Sequence, residues 1–79
     1  APVHQLIIPK QHITTLNDVD IDHRGLLGHM VFTATQLAAE QNLSEPGFRL
    51  IMNCNQDGGQ TVFHIHLHLL GGRQLTHLG

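Results

Sequence analysis

Three histidines alternate near the C-terminal end of the chain: His64, His66 and His68, spaced by Ile65 and Leu67 and followed by Leu69 and Leu70. On a β-strand the side-chain period is two, so three such imidazoles share one face and the aliphatic residues share the other. A solvated strand face ordinarily carries Thr, Lys or Glu. A row of histidines against an aliphatic row therefore points to chemistry. Neutral imidazole is a competent nucleophile near pH 7, since its reference pKa is about 6.5. One ring nitrogen can be fixed by donating to a carbonyl while the other presents its lone pair. The residues running into the row, Gly58-Gly59-Gln60-Thr61, suit an anion. Glycines let backbone N–H groups approach a phosphate, and the Gln60 and Thr61 side chains add donors. Asn53, at the end of an earlier apolar run, supplies another. The pattern suggests attack at phosphorus beside an anion cradle.

A metal centre is the rival reading. Two histidines at His-x-His spacing can share a zinc, with His4, His77 or Asp57 as a distant third ligand. Three in one row cannot. Alternate residues on a strand lie about 6.7 Å apart, whereas zinc holds each nitrogen at about 2.0–2.1 Å. No metal ligand set is assigned.

The elements that must carry these residues follow from periodicity and turn chemistry. Residues 4–9, HQLIIP, read as a short strand closed by Pro9. Residues 10–19 read as a loop. Asp20 and Asp22 then suit the start of a helix reaching about Asn42, with Leu27, Met30, Val31, Ala34, Leu37 and Ala38 at helical spacing. Ser44-Glu45-Pro46-Gly47 forms a turn. Residues 48–53 form a second strand, with Phe48, Leu50 and Met52 on one face and Arg49, Ile51 and Asn53 on the other. A polar loop over 55–60 leads to a third strand over 62–70, ended by Gly71-Gly72. The expected fold is α+β: a mainly antiparallel sheet with one long helix packed on it.

The 79 residues allow one small domain, 1–79, and 41% hydrophobic with 13% charged residues describes a globular chain. The net charge of −2, with only Lys10, Arg24, Arg49 and Arg73 as cations, gives no footprint for nucleic acid or an anionic membrane. No apolar run approaches the ~18 residues of a membrane span. The opening Ala-Pro-Val-His lacks the regions of a signal peptide, and the single Cys54 cannot form an internal disulfide. These features predict a cytoplasmic chain. A domain this small buries only about 60% of its unfolded surface, so self-association is expected.

The stretch GGQTVFHIHLHLLGGR, from Gly58 to Arg73, resembles the signature of the histidine-triad, or HIT, superfamily: three alternating histidines with apolar spacers. The Gly71-Gly72-Arg73 ending resembles the Hint branch of nucleotide-binding phosphoramidases. Fhit-like hydrolases typically follow the triad with proline, and the galactose-1-phosphate uridylyltransferase relatives carry Gln at the position of His68. The segments APVHQLIIPKQHI and GFRLIMNCNQDGGQ are similar to this branch too.

The resemblance implies a purine nucleoside phosphoramidase working through a nucleotidyl-histidine intermediate, with no cofactor required. His66 would attack the α-phosphate, the backbone carbonyl of His64 would orient its ring, and His68 would contact the phosphate. Asn53, Gly59, Gln60 and Thr61 would line an AMP-like pocket, with His4 in support. It also implies a homodimer whose sheets join across a two-fold axis. An N-terminal portion of the family's domain, with the acid that holds the ribose, is expected to be lacking before Ala1, leaving the nucleoside side of the pocket incomplete. A non-catalytic nucleotide-binding or scaffold protein is the alternative.

Overall fold

A computed structural model describes residues 1–77. Three strands and one helix make the frame: β1 Val3–Ile7, α1 Arg24–Glu40, β2 Phe48–Ile51 and β3 Leu67–Gly71. The strands form one antiparallel sheet in the order β1-β3-β2. The last strand in sequence thus lies in the middle. Its register pairs Leu67 with Ile7, Leu69 with both Gln5 and Leu50, and His68 with both Leu6 and Ile51. This is the expected α+β arrangement.

The helix packs on the sheet along one ridge. Met30, Ala34 and Ala38, four residues apart, are buried, with Leu27 and Leu37 half-buried beside them. Alanine at two of these positions brings the helix backbone close to Leu67 and Leu69, which are buried beneath it. Each fully buried Leu or Ile contributes about 1.5–3 kcal/mol. Val31, one step off the ridge, is exposed, so the helical periodicity overcounted the inner face by one residue.

Local chemistry sets the helix ends. Asp20 accepts from the Asp22 N–H and caps a short 3-10 turn, Ile21–His23, that runs straight into α1. At the other end Asn42 adopts φ 61°, the Leu43 N–H reaches back to the Ala38 carbonyl, and the Asn42 N–H to that of Ala39. This pairing satisfies carbonyls the helix would otherwise leave open. It also folds Leu43 into a cluster with Ala38 and Leu69.

All three strands are shorter than the apolar runs suggested. β1 ends at Ile7 rather than Pro9, and β2 at Ile51 rather than Asn53. β3 begins at Leu67 rather than Val62. The cause is non-local. The ladder stops at Ile7–Leu67 on one side and Ile51–His68 on the other, so residues 62–66 have no strand beside them. The expected loop over 10–19 also holds structure. Thr15 and Asp18 form a reciprocal cap around a 3-10 turn, Leu16–Asp18, with Thr15 buried.

Candidate active site

His66 sits just ahead of β3, half-buried, with its Nδ1 2.8 Å from the backbone oxygen of His64. A carbonyl only accepts, so this bond fixes the tautomer: Nδ1–H donates and Nε2 keeps an unshared pair. His68, the second residue of β3, lies edge-on to His66 with ring centroids 4.9 Å apart. On its other side His68 Nδ1 meets His4 Nε2 at 2.8 Å, β1 bringing His4 next to β3. Burial, then the neighbouring His66, then His4, lower the pKa of His68 from its ordinary 6.5. The shift favours the uncharged form of His68.

His64 departs from the expected row. It precedes β3 and its ring packs against His12 at 4.8 Å, while its Nε2–H donates to the Gln11 carbonyl at 3.3 Å. The single row of three imidazoles thus resolves into His4–His68–His66 and His12–His64. The two groups meet at a small apolar pocket of about 110 Å³ bordered by His64, His66, Leu6, Ile8 and Val62. His12 and Gln11 were not among the expected site residues. Their place depends on the chain returning past the triad after Pro9, where the Ile65 N–H binds the Ile13 carbonyl at 2.8 Å. No local spacing announces that contact.

The glycine loop is built differently from an open cradle. The Gly59 N–H donates to Gln56 and the Gln60 N–H to Asn55, so these amides are spent inside the turn. Gly59 adopts φ 85°. Gly58 lies so close to Cys54 that an added Cβ would fall 2.5 Å from its carbonyl oxygen. Gln60 is turned inward, with only 5% of its surface exposed. Its Nε2 donates to the carbonyls of Thr14 (2.8 Å) and Val62 (3.1 Å), and its Oε1 accepts from the Asn55 N–H (2.8 Å). Both side-chain donors are committed, so Gln60 has none for a phosphate. Thr61 is exposed and Asn53 half-buried.

The residues considered for a metal do not converge. Among the described residues no three His, Cys, Asp or Glu side chains are grouped to hold an ion. The His77 carbonyl instead accepts from Arg49 Nη1 at 2.8 Å. A larger cleft of about 580 Å³ lies past the other end of β3, lined by Phe48, Arg49 and Arg73 among others, with no histidine on its walls. Among the described residues no helix is long and apolar enough to cross a membrane.

Known proteins share this frame. A HIT domain profile matches residues 1–75. The purine nucleoside phosphoramidase of Escherichia coli K12 is 53% identical over 75 residues, which are 95% of this chain and 63% of that protein. The chain thus spans a little under two thirds of that relative's length. A HIT family hydrolase from Legionella pneumophila superimposes with a TM-score of 0.95 at 58% identity, over 96% of this chain and 68% of the other. A histidine triad protein from Clostridium difficile gives a TM-score of 0.94 at 37% identity, over 100% and 69%. Profile, sequence and backbone agree along nearly the whole chain, and the chain belongs to the HIT family.

Proposed function

We propose that the site cleaves the P–N bond of purine nucleoside phosphoramidates, with His66 as nucleophile. The observation that carries this reading is the hydrogen bond from His66 Nδ1–H to the His64 carbonyl, which leaves Nε2 with an unshared pair. In the first step Nε2 forms a bond to the α-phosphorus. The P–N bond breaks, its electron pair stays on the leaving nitrogen, and that nitrogen takes up a proton from solvent and departs as the amine. Water then attacks the phosphorus of the nucleotidyl-histidine, the P–Nε2 bond breaks with its electron pair returning to Nε2, and the proton lost by the water passes to solvent, giving the nucleoside monophosphate and restoring His66. Splitting one hydrolysis into two displacements lowers each barrier.

Its lowered pKa favours uncharged His68, which then serves as a hydrogen-bond partner rather than a fixed cation. When its Nδ1 accepts from His4, its Nε2–H is free to donate to a phosphate oxygen. Asn53 and Thr61 are the remaining side-chain donors for the phosphate. The purine preference rests on the similarity to the Escherichia coli phosphoramidase.

Single-turnover mass spectrometry with adenosine 5′-monophosphoramidate tests the mechanism. A nucleotidyl adduct is expected on the peptide containing His66. In His66→Ala, turnover should fall by several powers of ten while AMP affinity changes little, since binding is spread over other groups. AMP binding with no adduct and no turnover in the wild type would favour a non-catalytic nucleotide-binding protein instead.

The working assembly is proposed to be a homodimer with sheets joined across a two-fold axis. Among the described residues β1 and β2 are both edge strands, and open edges favour pairing. Light scattering should give twice the chain mass at micromolar concentration. A stable monomer there would count against it.

A further inference from the structure

The loop and the triad meet at Gln60, and its side chain has an unusual amount to hold. Residues 62–66 carry His64 and His66 but have no ladder partner. Their path must be fixed by other means. The described contacts that do so are few: the Ile65 N–H on the Ile13 carbonyl, the His64 ring on Gln11, and the Gln60 carboxamide. Of these, only Gln60 ties three stretches at once. It joins the start of the glycine loop at Asn55, the returning segment at Thr14, and the entry to the triad at Val62. Val62 is two residues from His64, whose carbonyl sets the tautomer of His66.

We infer that Gln60 is a positioning residue for His66: its buried carboxamide anchors the Val62 carbonyl to Thr14, and so holds the His64 carbonyl where it receives the His66 Nδ1–H. Only its kinetic consequence rests on the proposed phosphoramidase reading; the effect on the His66 tautomer stands without it. A buried amide making three hydrogen bonds resists displacement because each broken bond would strand a polar group away from water. Carboxamide chemistry is required. Two donors face two carbonyls and one acceptor faces an N–H, a set neither a carboxylate nor a thioether of equal length can supply.

The test uses Gln60→Glu, which keeps length and acceptor but loses both donors, and Gln60→Met, which keeps only length. Two readouts are taken on the whole protein. Long-range proton–nitrogen NMR reports the ring tautomer of His66, and steady-state kinetics with adenosine 5′-monophosphoramidate reports kcat and KM. The wild type should show His66 as the Nδ1–H tautomer. Both variants should shift it toward Nε2–H, lower kcat by about 100-fold and leave KM within about threefold. An unchanged tautomer in folded variants would overturn the inference. So would loss of fold in both variants, which would make Gln60 a scaffold residue only. If the wild type has no phosphoramidase activity, that failure belongs to the proposed function, and the tautomer measurement still decides the role of Gln60.

Discussion

Leu67–Gly71 and the five residues ahead of it form one continuous run in sequence but are held in two different ways. β3 is paired on both sides, to β1 and to β2, and its inner side chains Leu67 and Leu69 lie in the core. Residues 64–66 keep the alternation, with Ile65 buried and His64 and His66 half-buried, yet residues 62–66 have no strand on either side. Val62 and Phe63 are 61% and 48% exposed. Alternation and ladder are therefore separable. Ile65 is turned inward by its burial and by one hydrogen bond to Ile13. The division falls between His66 and His68, so the triad straddles it. His68 stands on the rigid half, and His66 takes its orientation from the half held by scattered contacts.

This difference predicts that substitutions in the two halves fail in different ways. The largest stability effect belongs to β3. Leu69 is fully buried between helix and sheet. Leu69→Ala should cost about 2–5 kcal/mol, the transfer term plus the cavity it leaves. A small domain has roughly 0.05–0.15 kcal/mol of net stability per residue, so this is a large share of the whole. Urea unfolding would measure the loss, and kcat per folded molecule should be nearly unchanged. A loss of kcat beyond the unfolded fraction would show that the ladder, too, tunes the chemistry.

Gly58→Ala probes the other half. The new Cβ would meet the Cys54 carbonyl at 2.5 Å and the Cys54 nitrogen at 3.0 Å. Both are backbone atoms, so the loop itself must shift. Overpacking of this kind costs about 1–3 kcal/mol. The shift passes through Asn55 and Gln60 into residues 62–66, so turnover should fall further than stability alone explains. Parallel thermal melts and kinetics would show it. Equal loss in both would erase the distinction between the halves.

The legible part of this molecule was the part with local causes. Alternation from Ile65 to Leu70 placed aliphatic residues under the helix and histidines away from it. Asp20 before the helix and the glycine loop before the triad were readable as well. Thr15-x-x-Asp18 was a readable cap that the reading of 10–19 as a loop passed over. The strand limits were not local. They depend on where β1 and β2 stop pairing with β3, and those partners lie far away in sequence. The His12–His64 contact and the inward turn of Gln60 share that origin. Each needs the returning segment after Pro9, and Gln60 reads identically as a phosphate donor or a buried brace until its partners are known.

The smallest expected effect tests the junction itself, through pH. His68 is the titrating group of the triad on the paired side. Burial, then His66, then His4, lower its pKa in the folded chain below the 6.5 it has when unfolded. Between these two values the unfolded state binds more protons than the native one, so stability must rise with pH there. Above about 6.5 both states are neutral at His68 and it adds no slope. As pH falls through 6.5 the unfolded chain takes up the proton first, and stability is lost until the lowered native value is passed. Carboxylates also titrate in acid, so the comparison needs a partner that shares them. His68→Gln removes this one group. The stability of the wild type relative to His68→Gln, from urea unfolding at pH steps between 8 and 5, should be constant above about 6.5 and decline below it. A relative gain for the wild type in acid would mean that His68 is held as a cation in the native state. It would then approach a phosphate as a charge rather than as a neutral hydrogen-bond partner.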